Sequence, residues 1–263
     1  MSYFERLKGS IRRNFEQVEL FGLPVLLRHF KSKQPTYQFN YRGFGPVNVR
    51  VDESDIYTFV QVVKRSEYDV GIPSVEEHIR KQYDDIVATG RVPVIVDAGA
   101  NVGAAALWFA RRYPKAHIVA VEPESGNAAV LHRNAELEKN ITVLEAAIGC
   151  SSGKVSLQGS TGSGWDVSTE RSSEGEINLV TMAEAIDTVE NGTPFIAKID
   201  IEGFESDLFS QATDWVGAMK VIMIEPHDWI APGNGSSLTF QRVLGQNEFE
   251  LFIRGENLIY VRY

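Results

Sequence analysis

Cysteine is almost absent. The chain of 263 residues holds one, Cys150, which excludes an intramolecular disulfide and a cysteine-built metal cage. No apolar run approaches the roughly 18 to 20 residues that a membrane-spanning helix needs. The N-terminus lacks the basic, apolar, small-residue order of a signal peptide, so a cytoplasmic location is the expectation. A basic excess is also missing. The net charge of −9 argues against a general nucleic-acid binder. With 43% hydrophobic and 23% charged residues, the chain reads as an ordinary globular protein, long enough for one large domain with an appended cap. Its charge is uneven: residues 1–34 carry seven Lys/Arg and three Glu, net +4, which leaves −13 on the remainder.

What is present begins with Phe4, Leu7, Ile11, Phe15 and Val18, spaced three and four apart as on an amphipathic helix. Such a helix can pack on the domain or on a second subunit, as in a homo-oligomer. Being basic, it can also touch an anionic membrane surface. Tyr37, Phe39 and Tyr41, then Val47, Val49 and Val51, alternate with polar residues around Arg42-Gly43-Phe44-Gly45-Pro46, a hairpin signal. Residues 55–63 and 74–88 read as helices, with Ser74 as N-cap and Glu77 completing a capping box. Residues 1–90 are thus expected to form an N-terminal cap, and residues 91–263 the main domain.

From residue 93 strands alternate with helices. Strands are expected at 94–97, 117–121, 141–145, 195–200 and 220–225, and helices at 102–113, 124–138, 181–189 and 204–211. This is the pattern of an α/β fold, a doubly wound and mostly parallel sheet covered on both faces. Strands 249–254 and 258–262 are joined only by Gly255-Glu256-Asn257, which permits an antiparallel hairpin and no crossover. The Ser- and Gly-rich stretch 151–176 is expected to be a loop near the site.

Ligands of open α/β sheets bind beyond the carboxyl ends of the strands, so the residues there carry the functional reading. The first strand exits through Asp97-Ala98-Gly99-Ala100-Asn101-Val102-Gly103. The dinucleotide fingerprint G-x-G-x-x-G is incomplete here, because its first glycine is Asp97, and an acid at the head of the turn repels a pyrophosphate. A nicotinamide-dependent oxidoreductase is therefore disfavoured. Asp97 suits a cationic or hydroxyl-bearing ligand, although a solvated acid in a tight turn would look the same. Glu122, held extended by Pro123, can accept two hydrogen bonds from vicinal ribose hydroxyls. Ala146 and Ala147 can floor an adenine pocket, though a packed strand exit has the same composition. Asp200 and Glu202 flank Ile201, and in a strand they would share a face. Glu225-Pro226-His227 ends the fifth strand, where a neutral His227 beside acids is a candidate general base.

Together these residues resemble a class I S-adenosylmethionine-dependent methyltransferase, and more specifically the FkbM family of O-methyltransferases. The carrying motifs are Val96-Asp97-Ala-Gly-Ala-Asn101-Val-Gly103, Val121-Glu122-Pro123, Ala146-Ala147-Ile148-Gly149, Lys198-Ile-Asp200-Ile-Glu202-Gly203 and Glu225-Pro-His227. The resemblance covers roughly residues 45–263, and residues 1–45 match nothing nameable. It implies a seven-stranded Rossmann-like sheet with S-adenosylmethionine as cofactor. Asp97, Gly99, Ala100, Asn101 and Gly103 would border its methionine portion, Glu122 and Pro123 its ribose, and Ala146 and Ala147 its adenine. Asp200 would lie near the methionine amine. The segment Arg65–Asp69, with Tyr68, would help close the site.

The acceptor class implied is a hydroxyl on a sugar, a glycolipid or a polyketide-type natural product, either a small molecule or a glycoconjugate. His227 would be the base, oriented by Asp200 or Glu225. Alternatively Asp200, Glu225 and His227 would hold Mg²⁺, which would lower the hydroxyl's pKa. Trp165 and Trp229 are candidates to stack on a sugar ring. A non-catalytic protein that binds S-adenosylmethionine remains the rival from another functional class.

Overall fold

The computed structural model describes residues 36–50, 53–158, 168–171, 175–230 and 232–263. The amphipathic pattern near the N-terminus and Trp165 fall outside these residues.

Two short strands, β1 (Tyr37–Tyr41) and β2 (Gly45–Val49), pair antiparallel. Their alternation buries Tyr41, Val47 and Val49 against the main body. Helix α1 (Asp55–Phe59) runs on into a π-type turn over Val60–Lys64. Helix α2 spans Pro73–Ala88, and its N-cap is Ile72 rather than the expected Ser74. Proline lacks an N–H and has its φ preset, so it favours the first helical position and starts the helix one residue before Ser74.

The alternating region follows: β3 (Val92–Ala98), α3 (Ala104–Arg112), β4 (His117–Val121), α4 (Ser125–Ala135) and β5 (Ile141–Leu144). Next come β6 (Ala146–Gly149), β7 (Gly153–Gln158), β8 (Ser168–Arg171), β9 (Ile177–Thr181) and α5 (Met182–Asp187). The chain continues through β10 (Gly192–Ile199), α6 (Glu205–Leu208), α7 (Asp214–Ala218) and β11 (Val221–Ile224). It ends with α8 (Leu238–Leu244), β12 (Glu250–Arg254) and β13 (Asn257–Val261).

Seven strands form the central sheet in the order β5-β4-β3-β10-β11-β13-β12. Six run in the same direction, and β13 alone runs against them, between β11 and β12. The sheet is covered on both faces because successive strand residues point to opposite sides. Ile95, Ile118 and Ile196 face a core shared with α2, α3, α4 and the hairpin. Val94, Val96, Val119 and Ala197 face a second core built with α5, α7 and α8. The strand order reverses between β3 and β10, whose connections leave in opposite directions, and a crevice opens there.

The stretch 151–176 is not a single loop. Within it β7 pairs antiparallel with β8, and β7 also pairs with β9, which itself runs parallel to β6. Val155, Leu179, Ala147 and Phe204 make a small core under this second sheet. So few apolar residues among many Ser and Gly give no readable period.

At the crevice Gly99 has φ +76°, and a Cβ there would fall inside the envelope of the Asp200 carbonyl oxygen. Gly99→Ala is therefore expected to destabilise the protein by on the order of 3 kcal/mol or more. A thermal melt within a degree or two of the parent's would contradict this contact.

Candidate active site

The exit of β3 is organised by a buried cation. Asp97 is fully buried, 3.1 Å from Lys198 Nζ through its Oδ1. The same ammonium donates to the Gly99 carbonyl at 2.7 Å and lies 3.6 Å from Asp200 Oδ2. Burial alone would depress the lysine's pKa, but the facing Asp97 and Asp200 carboxylates hold it well above its usual value. The acid at the head of the turn thus meets the protein's own lysine rather than a ligand, and Asp97 lines neither cavity described below. Gly103 is also absent from both linings. It is the left-handed N-cap of α3, and a Cβ there would lie 2.6 Å from Leu131 Cδ1, so its bareness serves the packing of α3 on α4.

A cleft of about 630 Å³ opens beside this turn. Its walls are Gly99 and Asn101 from the turn, Glu122, Pro123 and Asn127 from the β4 side, Ala146 and Ala147 from β6, and Asp200 and Glu202 from beyond β10. Glu122 is 5% exposed. It accepts from the Asn101 N–H at 2.8 Å, the Glu124 N–H at 3.0 Å and the Asn127 side-chain amide at 3.4 Å. Burial pushes its carboxyl up to about 7, against the pull of those donors.

A second cavity, about 910 Å³, adjoins the first and shares Gly99, Asn101, Asp200 and Glu202 with it. Ala100, Tyr68, Glu67, Glu225, His227 and Trp229 line it, together with Thr58 and Gln61 from α1 and its π-type turn. Tyr68 therefore borders this cavity and not the cleft at Glu122. Its ring packs on Trp108 and Phe109, with centroids 6.3 and 5.6 Å away. Trp229 stands at the mouth, 68% exposed.

The centre of the second cavity is His227, 2% exposed. Its Nδ1 is 2.7 Å from Oε1 of Glu205, itself 1% exposed, and the same oxygen accepts from the Gly203 N–H at 3.3 Å. Glu205, rather than Asp200 or Glu225, orients the ring. The opposite nitrogen, Nε2, faces Asp200 Oδ1 at 3.6 Å, Glu202 Oε2 at 3.6 Å and Glu225 Oε1 at 3.8 Å. Burial works against a charge on the ring, but Glu205, Asp200 and Glu202 together raise it to about 9. A value raised in this direction favours the charged ring at neutral pH, where the sequence reading expects a neutral base. Glu202 reaches the cluster from a left-handed residue, φ +51°, after β10 has ended, so strand alternation is not what brings it beside Asp200. Ligand-capable atoms of Asp200, Glu202 and His227 lie within 4.8 Å of one another, as do those of Glu67, Glu225 and Glu256. Glu225 thus groups with Glu67 and Glu256, and Glu202 takes its place beside Asp200 and His227.

Sequence reading gave Lys198 no role of its own, although it stands in a carrying motif as a polar interruption of the apolar run Phe195-Ile-Ala-Lys-Ile. Glu67 entered only as part of the segment Arg65–Asp69, which does border the second cavity through Glu67 and Tyr68. Glu205 and Asn127 gave no signal, because each acts through a contact that only the folded chain makes.

With this geometry in view, the FkbM methyltransferase domain matches residues 97–249. The chain belongs to the FkbM methyltransferase family. A methyltransferase of Sordaria araneosa, sdnD, is 38% identical over 76 residues, covering 28% of this chain and 29% of that protein. The matched segment is thus under a third of the relative's length. Among solved structures, monomeric WbdD aligns with a TM-score of 0.42 and 15% identity over 71% of this chain and 40% of its own. A precorrin-6y C5,15-methyltransferase from Geobacter metallireducens aligns with a TM-score of 0.38 and 13% identity, over 66% of this chain and 81% of its own. The seven-stranded, mostly parallel sheet with β13 antiparallel is Rossmann-like, as the sequence led one to expect. Among the described residues no helix is long and apolar enough to cross a membrane.

The FkbM cleft has a consequence for stability. Glu122 and Glu202 titrate near 7 and Glu225 near 8, against an ordinary 4.5. His227 titrates near 9 against an ordinary 6.5. All four hold protons in the folded chain that the unfolded chain has released. Each contribution is complete below the unfolded value and is lost as pH rises through the folded value. The ligand-free protein is therefore expected to melt at progressively lower temperature from about pH 5 to about pH 9. A melting temperature that stays level or climbs across this range would contradict the cluster.

Proposed function

We propose that this FkbM family member transfers a methyl group from S-adenosylmethionine to a hydroxyl oxygen. The observation that carries this reading is the meeting of two cavities at Asp200 and Glu202, one floored by Glu122 and the other centred on His227. The residues fit the cofactor. Glu122 keeps a carboxylate on a cleft wall where ribose hydroxyls can donate to it, and Ala146 and Ala147 leave flat apolar space for a base. The acidic second cavity suits a sulfonium and an ammonium. When bound, S-adenosylmethionine supplies an electrophilic methyl group.

The chain's own work is to hold the acceptor oxygen in line, exclude water and take the proton. His227 Nε2 is the group offered for that proton, with Glu205 fixing the ring. It must first lose its own proton. In this reading the rate rises with pH towards about 9. The acceptor class supported is an uncharged polyhydroxyl compound, a sugar, glycolipid or polyketide-type product. Trp229 is exposed at the mouth to stack on it, and carboxylates inside would repel an anionic one.

A second reading has its own observation. Three carboxylate oxygens stand 3.6 to 3.8 Å from Nε2, too far for a hydrogen bond. Ligands sharing one ion at about 2.1 Å lie roughly 3.0 to 3.4 Å apart, a spacing that a small inward shift would reach. A carboxylate accepting from Nδ1 is also the usual partner of a histidine whose other nitrogen binds a metal. In this reading Asp200, Glu202 and His227 hold Mg²⁺ or a similar divalent cation, and Glu225 lies close by.

Methyl-labelled cofactor offered to a panel of hydroxylated acceptors tests the function. A base-stable methyl ether is expected. Labelled ester or amine products would contradict transfer to a hydroxyl oxygen, and cofactor binding with no transfer to any acceptor would favour a non-catalytic binding protein. His227→Ala is expected to lower kcat by on the order of 10²- to 10⁴-fold. Turnover that survives EDTA supports the base reading. Turnover lost to EDTA and restored by Mg²⁺ or Mn²⁺ supports the cation.

A further inference from the structure

Asp55, 1% exposed at the start of α1, lines neither cavity, and its cationic partner Arg50 lines neither, but Arg50 holds a residue that does. Arg50 donates its backbone N–H to Asp55 Oδ2 at 2.7 Å, and its guanidinium donates to the same carboxylate through Nε at 3.1 Å and Nη2 at 2.8 Å. Nη2 also donates to Asn127 Oδ1 at 2.7 Å. Arginine has donors only, so the Asn127 side chain must turn its oxygen to Arg50. Its NH₂ then faces Glu122 Oε1 at 3.4 Å, on the wall of the first cavity. The backbone of Asn127 is pinned independently, its N–H donating to Glu124 Oε2 at 2.6 Å.

We propose that Arg50 is a positioning residue for the cofactor cavity: anchored on Asp55, it fixes the amide of Asn127 so that a donor rather than an acceptor is presented to Glu122. This rests on the reading that the cavity takes S-adenosylmethionine. Without Arg50 the amide is free to flip, and its oxygen would then lie against the carboxylate meant for the ribose hydroxyls. The same tie joins the two cavities. Helix α1 carries Asp55 at one end, and beyond it Thr58 and Gln61 line the second cavity. A hairpin exit far from the main sheet in sequence thereby sets the hydrogen-bonding sense of a cofactor-facing residue.

The test is calorimetric binding of S-adenosylhomocysteine by the full chain, with thermal melts alongside. Arg50→Met is expected to weaken binding roughly 10- to 100-fold, the range for a hydrogen bond to a charged group, and Arg50→Lys to restore part of it. Asn127→Asp separates positioning from folding. It keeps and strengthens the contact with Arg50 but places a carboxylate against Glu122. Its binding is expected to fall at least tenfold, while at about pH 5, where Glu122 is protonated and the like-charge contact is relieved, its melting temperature stays close to the parent's. The pH profile gives a further readout. Glu122 is faced by the Asn101 and Glu124 N–H groups, the Asn127 amide and, farther off, the Lys198 charge, with Asp200 and Glu202 across the cavity. Parental binding is expected to tighten as pH rises through about 7, and the midpoint to move upward in both Arg50→Met and Asn127→Asp. Glu122→Gln identifies the titrating group by flattening the profile. Arg50→Met and Asn127→Asp proteins that bind as the parent does, with the same profile, would overturn the proposal. A parent that does not bind S-adenosylhomocysteine would overturn the cofactor reading itself, a separate result.

Discussion

A lysine with almost no exposure sets the geometry of the crevice at the β3–β10 switch. Lys198 lies between Asp97 and Asp200 and donates to the Gly99 carbonyl, so one ammonium ties the exit of β3 to the exit of β10. Removing one partner of such a buried pair usually costs about 3 to 5 kcal/mol, because the other charge is left stranded. The tie explains why the turn after β3 must be bare. With the two strand ends drawn together, Gly99 lies against the Asp200 carbonyl and leaves no room for a side chain. It also sets where Asp200 stands, and Asp200 is the residue at which the two cavities meet.

Beyond Lys198 the balance of charge tips to the negative. Glu67, Glu202, Glu225 and Glu256 line one cavity with Asp200 and His227. Glu67, Glu202 and Glu225 are raised above their ordinary values, burial being the larger cause and Asp200 the next. An assembly of this kind is incomplete without positive charge. The protein supplies some through His227 and Lys198, and a sulfonium or a divalent cation would supply the rest. The strained placement of Glu202, in a left-handed conformation that non-glycine residues seldom adopt, puts a carboxylate where strand geometry would not have carried it.

The sheet was legible in the sequence because its strands are short runs of β-branched residues punctuated by acids and glycines. Asp97, Glu122, Asp200 and Glu225 stood out as acids ending apolar strands, a pattern that needs no tertiary information. What each acid touches was not legible. Asp97 read as a ligand for something external, because nothing in its neighbourhood along the chain announces Lys198, about a hundred residues away. His227 read as a neutral base, because its charge is favoured by Glu205, Asp200 and Glu202, which come from the exit of β10 and the start of α6. The sheet of β6, β7, β8 and β9 was hidden in a polar stretch whose few apolar residues meet only after β9 inserts beside β6. Ser74 lost its place as a cap to a neighbouring proline. In each case local pattern gave the element or the residue type, and a long-range contact decided the role.

The central claim is that the crevice at the β3–β10 switch holds S-adenosylmethionine with its sulfur turned toward the His227 cluster. A crystal structure of the protein with S-adenosylhomocysteine tests it most directly. The account predicts the ribose hydroxyls on Glu122, the adenine beside Ala146 and Ala147, and the sulfur facing the cavity shared by Asp200, Glu202 and His227. A ligand bound elsewhere, or one whose sulfur points away from that cavity, would contradict it.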